Sequence, residues 1–221
     1  GFRPESMHAV GGEGRFAVLW SNFDSQTSVI QLLEFDGEAV NQLAEWPIDV
    51  RLEDVDFDAA GQSMFAHGYD NKYRFYRTLL QPPTVATPSG SSECDVRFGS
   101  DATWVTSLCL PEGSKVPRLS TFQADDPNSI IGSAELTDEE STYITDISPA
   151  RDYLALGTTN IGKIMVYPSY IQSGSGGSPT GILLDKSGQN VSGAYFTADG
   201  GLVSGSGDNN VRFWGSDAAA E

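Results

Sequence analysis

Histidine, cysteine and basic residues are all scarce in this chain of 221 residues, and each shortage removes a class of chemistry. There are two histidines, His8 and His67. Catalysis of the Ser-His-Asp kind needs a base within hydrogen-bond reach of its nucleophile, and no serine here has the surroundings of a nucleophile elbow. Both histidines therefore read as structural, His8 near the start of the chain and His67 in a strand beside Gly68. The two cysteines, Cys94 and Cys109, have no histidine or cysteine cluster around them, which excludes a zinc site of the usual ligand spacing. Lysine and arginine number 13 against 30 aspartates and glutamates, a formal charge of −17. A field of that sign repels nucleic acid and anionic membranes and steers basic partners inward. No apolar run is long enough to span a bilayer, and no signal-peptide pattern is present. No phosphate-cradling glycine loop occurs either: Lys186-Ser187 follows Asp185 where a P-loop needs glycine. No cofactor is implied. The chain opens at Gly1 without an initiator methionine, as a processed or excised piece of a longer protein would.

What the chain does have is a recurring phrase: an apolar residue, two spacers, a second apolar residue, one spacer, an aromatic or Ile, then a polar turn. It reads Leu52-x-x-Val55-x-Phe57 before residues 58–61, and Val191-x-x-Ala194-x-Phe196 before Thr197-Ala198-Asp199-Gly200. Weaker copies are Val96-x-Phe98 before residues 99–102 and Ile144-x-x-Ile147 before Ser148-Pro149-Ala150-Arg151, with a worn first copy ending at Glu13-Gly14. The aromatic or Ile positions recur every 40–50 residues or so, the range of a four-stranded propeller blade. A repeated strand unit of this kind cannot bury its own faces, so the copies must stack into one body.

The repeats run approximately over residues 1–46, 47–90, 91–138, 139–187 and 188–215, and are taken as one all-β domain, 1–221. Glycine stands at 24 residues and no helical period is present, as many short strands require. The stretch 81–92, with Pro82-Pro83, reads as a loop or a poor outer strand. Residues 173–178, a Gly-Ser tract, read as an exposed flexible tip. The fifth repeat lacks an outer strand, and residues 1–8 are the candidate to close it, since closed rings remove open edges. If residues 99–102 form a hairpin turn, Phe98 faces Val105, Val96 faces Ser107 and Cys94 faces Cys109. Opposed Cβ atoms lie about 4.5–5.5 Å apart, wider than the roughly 3.8 Å of a disulfide. Two reduced, buried thiols are therefore expected.

The run from Leu202 to Trp214, Leu-Val-Ser-Gly-Ser-Gly-Asp-Asn-Asn-Val-Arg-Phe-Trp, resembles the second half of a WD40 repeat, and residues 191–200 resemble the first half. Looser copies lie at 64–76 and 154–167. The resemblance implies a β-propeller and a network in which a turn aspartate meets a strand Ser or Thr, a Trp and a His. Asp70 and Asp208 match the aspartate, Ser204 or Ser206 the hydroxyl, and Trp214 the indole. Departures are that Gly215 follows Trp214, no Gly-His pair precedes the repeats, and Asn160 stands for Asp in the fourth copy. Such propellers usually have seven blades, sometimes six or eight. Five copies therefore mean a fragment of a larger ring, an open ring completed by a partner, or a true five-bladed ring.

Candidate sites follow from charge and exposure. Asp54, Asp56 and Asp58 alternate with Val55 and Phe57, so all three point to one side of a strand. They read either as a solvated strand end lining a wet channel or as a cation or acid/base site. The run Asp138-Glu139-Glu140 and the pair Asp125-Asp126 read as turn chemistry. Trp20, Trp104 and Trp214 are expected to pack between blades, while Trp46, Tyr69, Tyr167 and Tyr170 are expected partly exposed, where Tyr and Trp make interface anchors. Arg74 and Arg212 occupy matching third-strand positions, where a long side chain can lie along a blade face. By resemblance the chain is a non-catalytic, cytoplasmic or nuclear scaffold that binds a protein or peptide, favouring basic partners, with Asp54, Asp56, Asp58, Tyr69 and Tyr170 as partner-binding candidates. The competing class is a five-bladed lectin or glycosidase-like enzyme using those carboxylates.

Overall fold

A computed structural model describes residues 1–11, 14–58, 60–77, 82–87, 91–136, 142–148, 150–158, 162–172, 178–184 and 189–215. Every element it contains is a β-strand, and each sheet is an antiparallel meander in chain order. The first sheet holds β1 (Phe2–Ala9), β2 (Arg15–Asn22), β3 (Thr27–Phe35) and β4 (Val40–Ile48). The second holds β5 (Leu52–Phe57), β6 (Met64–Gly68), β7 (Lys72–Tyr76) and the three-residue β8 (Thr84–Ala86), inside the stretch read as a poor outer strand. The third holds β9 (Ser91–Phe98), β10 (Trp104–Pro111), β11 (Arg118–Gln123) and β12 (Asp126–Glu135). The fourth holds β13 (Thr142–Ile147), β14 (Tyr153–Thr158), β15 (Lys163–Pro168) and β16 (Gly181–Leu184). The fifth has three strands, β17 (Val191–Phe196), β18 (Leu202–Ser206) and β19 (Val211–Trp214).

The repeated phrase is visible at the level of single dihedral angles. The fourth residue of each polar turn is left-handed: φ is 67° at Gly61, 58° at Ala102, 57° at Arg151 and 85° at Gly200. In each turn the amide of that residue donates to the carbonyl of the first, as in Gly61 to Asp58 (2.9 Å) and Arg151 to Ser148 (2.7 Å). The turns between second and third strands use asparagine for the same purpose, Asn71 and Asn209, whose side chain tolerates positive φ.

Two compact units divide the chain, residues 1–105 with 122–129, and residues 106–121 with 130–221. In the first unit Leu19, Ile30, Leu52, Val55, Phe57 and Met64 form a core between the first two sheets. In the second unit one core joins Leu154, Leu156, Met165 and Tyr167 to Ile144, and another joins Ala155, Ile164 and Val166 to Val191, Ala194 and Leu202. The repeat positions face inward: Phe57 lies in the core of the first two sheets, Phe98 is fully buried, and Ile147 and Phe196 are packed against the cores of their unit.

Tyr167, expected partly exposed, is buried in the core of its unit, and two further expectations are corrected. Residues 1–8 do not close the fifth sheet; β1 pairs with β2 from Phe2–Asn22 to Ala9–Phe16 and is the first strand of its own sheet. Pro4, which has no N–H to donate, lies at a register shift between Pro4 and Ser6, where the ladder is interrupted. The thiols are not reduced: Cys94 and Cys109 form a disulfide within the third sheet. The hairpin was read correctly, since the Gly99 amide donates to Trp104 and each cysteine lies five residues out from that pair. Antiparallel strands alternate between wide and narrow pairs, and the average spacing hides the narrow ones that admit a bridge.

Candidate functional site

At both predicted hairpins the turn aspartate is bound by an arginine, and at the second a strand hydroxyl joins it. Asp70 accepts a forked pair of hydrogen bonds from Arg74, at 2.8 and 2.6 Å. Asp208 accepts from Arg212 at 2.6 and 3.2 Å, from the Ser206 hydroxyl at 2.5 Å, and from Asn210. In both, the arginine follows the aspartate by four residues across a tight turn, so one hairpin supplies both halves of a bidentate pair. Arg74 holds the Asp70 carboxyl below its ordinary range, and Arg212 with Ser206 holds Asp208 lower still. Trp214 donates from Nε1 to the Ser204 hydroxyl at 2.9 Å. Ser204 therefore meets the indole and Ser206 meets the aspartate. Asn160 lies outside the described residues, as do residues 138–140, the tract 173–177 and Lys186-Ser187.

The alternating aspartates of β5 are neither solvated nor free. Asp54 accepts from the Val96 amide at 2.8 Å and from Arg97 at 2.6 Å. Asp56, 6% exposed, accepts from the Phe98 amide at 2.7 Å. Asp58 is buried in its turn and accepts from the Gln62 amide at 2.7 Å. The side of β5 that carries Asp54 and Asp56 thus faces the next inner strand, β9, and its carboxylates cap amides that the strand's own ladder leaves unpaired. Unit two repeats the device: Asp146 accepts from the Phe196 amide at 2.8 Å. Asp56 and Asp146 each precede the repeat's aromatic or Ile residue, and each bonds the amide at that same position one repeat on. Sequence spacing of 42 and 50 residues gave no signal for these bonds.

His67 is buried; its Nδ1 lies 2.7 Å from Glu53 and its ring packs edge-on to Tyr73 at 5.5 Å. This is a histidine fixed inside a sheet. His8 lies on β1, 2.8 Å from the Ser6 hydroxyl. Among the described residues no group of three His, Cys, Asp or Glu side chains is placed to hold a metal ion, and no helix is long and apolar enough to cross a membrane.

One surface arrangement gathers aromatic rings and charge. Arg51, in the connection between β4 and β5, lies with its guanidinium carbon 3.6 Å from the Phe23 ring centre and 3.9 Å from that of Tyr69. Phe23 belongs to the turn between β2 and β3, and Tyr69 to the turn between β6 and β7, so both rings stand at the same end of their sheets. Arg51 also donates to the Tyr69 hydroxyl at 3.1 Å and approaches Glu5 at 3.7 Å. Both rings keep close to half of their surface in solvent while the guanidinium between them is largely covered. Tyr69 was anticipated; Phe23, Arg51 and Glu5 were not, because two turns, a connection and a strand converge only in the fold. Tyr170 is exposed as expected, but it follows the third strand of its sheet, at the other end of the strands, in the other unit. Trp46 is half-buried against the core of the first two sheets, and Trp214 packs against the fourth and fifth.

No protein-family model matches the sequence, and no curated protein is similar to it in sequence. Solved structures are similar in fold. The β-propeller domain of Cps50 (Swd1) from Myceliophteria thermophila superposes with a TM-score of 0.63 at 12% identity, over 92% of this chain and 66% of that one. The C-terminal WD40 domain of Sif2 superposes with a TM-score of 0.65 at 13% identity, over 98% of this chain and 56% of that one. The chain thus spans less than two thirds of the length of these propellers. Its fold is that of WD40 β-propeller domains, and the five sheets are its blades.

Proposed function

We propose that this WD40-type chain is a non-catalytic scaffold, a single domain over residues 1–221, that binds a protein or peptide partner and prefers a basic one. The observation that carries the reading is the Phe23–Arg51–Tyr69 stack. Two exposed rings are held rigid on tight turns by a guanidinium they share, with Glu5 and Asp24 among the carboxylates around them. Rigid aromatic rings on a preformed scaffold are efficient interface anchors because little entropy is lost on binding. The formal charge of −17 favours a lysine- or arginine-rich segment. The competing lectin or glycosidase reading draws no support from β5, where Asp54 and Asp56 are spent on the β9 backbone. A cytoplasmic or nuclear setting and completion of the blade array by another chain belong to the same proposal. The test is fluorescence anisotropy with a labelled Arg/Lys-rich peptide and a neutral control of equal length. Phe23→Ala and Tyr69→Ala are each expected to weaken binding about tenfold, and added salt to weaken it further. Affinity unchanged in both variants, or no preference for the basic peptide, would reject this face.

A further inference from the structure

The first, second, fourth and fifth blades share an equivalent cross-strand row on one face, and one of these rows differs from the others in what covers it. The row is His8–Ala17–Leu32 in the first sheet, Asp56–Phe65–Phe75 in the second, Asp146–Ala155–Val166 in the fourth and Tyr195–Val203–Phe213 in the fifth. In the first three of these the next inner strand lies over it. The His8 ring is 6.1 Å from Phe57. Phe65 and Phe75 meet the Phe98 ring at 6.3 and 6.4 Å. Ala155 and Val166 are buried with Ala194 and Phe196. The fifth row carries two aromatic rings, as the second does, with Val203 between them and Tyr195 where the second has Asp56, yet Tyr195 is 61% and Phe213 80% exposed. Val211 beside them is exposed as well, and β19 is an edge strand among the described residues.

The first sheet presents the complementary surface. Ala17, Leu19, Ile30 and Leu32 point into the core, so alternation puts Met7, Ala9, Phe16 and Leu33 on the opposite face. Met7 is 69% exposed, and Phe35 and Val40, paired across β3 and β4 on this face, are exposed too. Ala9 holds the position that Phe57, Phe98, Ile147 and Phe196 hold in the later blades. One chain therefore carries both a row that elsewhere is covered and, on its first sheet, the face that by position covers it elsewhere, with Met7, Phe16 and Leu33 around Ala9 in place of a single large ring.

We propose that the fifth sheet of one copy packs its Tyr195–Val203–Phe213 row against the Met7–Phe16–Leu33 face of the first sheet of a second copy, a head-to-tail contact between two chains. This names the occupant in that part of the proposed function in which another chain completes the array; peptide binding does not depend on it. Both copies carry −17, so screening strengthens the contact, and association rises with salt.

Sedimentation velocity across a wide range of concentration tests this, with Phe213→Asp disabling the tail and Met7→Asp the head. Each variant is expected to raise the dissociation constant at least about thirtyfold. A head-to-tail contact makes a further demand: an equimolar mixture of the two variants retains one intact head and one intact tail, so it forms a dimer that neither forms alone. Both residues are exposed, and unchanged circular dichroism and urea midpoints check folding; Tyr195→Asp with Val40→Asp is a second pair. A wild-type chain that stays monomeric at every concentration and salt overturns the inference, as does a mixture that stays monomeric. Either result, obtained with a chain that still binds the basic peptide, leaves the proposed function standing and removes this contact alone.

Discussion

Asp54 separates a structural carboxylate from a binding one. Its side chain and that of Arg97 are 14% and 15% exposed and meet at 2.6 Å. Burial works against the Arg97 charge, but the carboxylates of Asp54, Asp56 and Asp95 outweigh it and hold the guanidinium above its ordinary range. Removing one partner of such a pair leaves a covered charge alone, which costs about 3–5 kcal/mol in fully buried cases. Some solvent reaches this pair, so about 3 kcal/mol is the better figure. The Val96 amide loses its acceptor as well, adding about 1 kcal/mol. Asp54→Ala should therefore destabilise the chain by about 3–4 kcal/mol. Asp54→Asn keeps an acceptor for Val96 and should cost roughly half of that.

Urea unfolding followed by circular dichroism reads the effect as a fall in midpoint at unchanged slope. A cycle with Arg97→Met should return a coupling of about 2 kcal/mol, because the two side chains are in direct contact. The opposite outcome is equally clear. If Asp54→Ala costs less than about 1 kcal/mol and abolishes peptide binding, Asp54 serves a ligand and the staple account of β5 fails.

Two further perturbations probe the scaffold. Reducing the Cys94–Cys109 bond opens a loop of about 15 residues and should cost about 3 kcal/mol, read as a lower urea midpoint with reductant; an unchanged midpoint would refute a loop-closure contribution from this bridge. Burial raises Tyr76 to about 12, above the value near 10 of an unfolded tyrosine. A raised folded value means its stability contribution is whole below pH 10 and is lost as the pH climbs from 10 towards 12, so thermal midpoints should fall across that window in the wild type and fall less in Tyr76→Phe.

The sequence showed the strands and turns well because their causes are local. A left-handed fourth residue in the turns ending at Gly61, Ala102, Arg151 and Gly200 belongs to a four-residue word. Strand alternation likewise needs only neighbours. The carboxylate staples needed more, since Asp56 and Asp146 act on amides a whole repeat away and nothing in either strand marks the partner. Arg74 and Arg212 were seen as matching positions, yet their aspartates were assigned to a strand hydroxyl, an indole and a histidine, because a bidentate fork across a hairpin depends on the turn's shape. The Phe23–Arg51–Tyr69 stack was the least legible. It joins two turns and a connection whose proximity exists only after two sheets have packed.

Those same pairings alter how the charge count should be read. Arg74, Arg97 and Arg212 are each locked to a carboxylate, and Arg51 is covered by two rings and Glu5. Among 13 basic residues, these are withdrawn from the surface as mobile positive charges. Acidic side chains outnumber them more than twofold, and enough remain to keep the outer field negative. Such a field must draw a basic peptide and hold two copies of the chain apart, and both effects fade over a Debye length of about 8 Å at physiological ionic strength. Peptide binding and self-association therefore answer salt in opposite directions. A salt titration that moves both the same way would mean that one of them is not set by the acidic field at all.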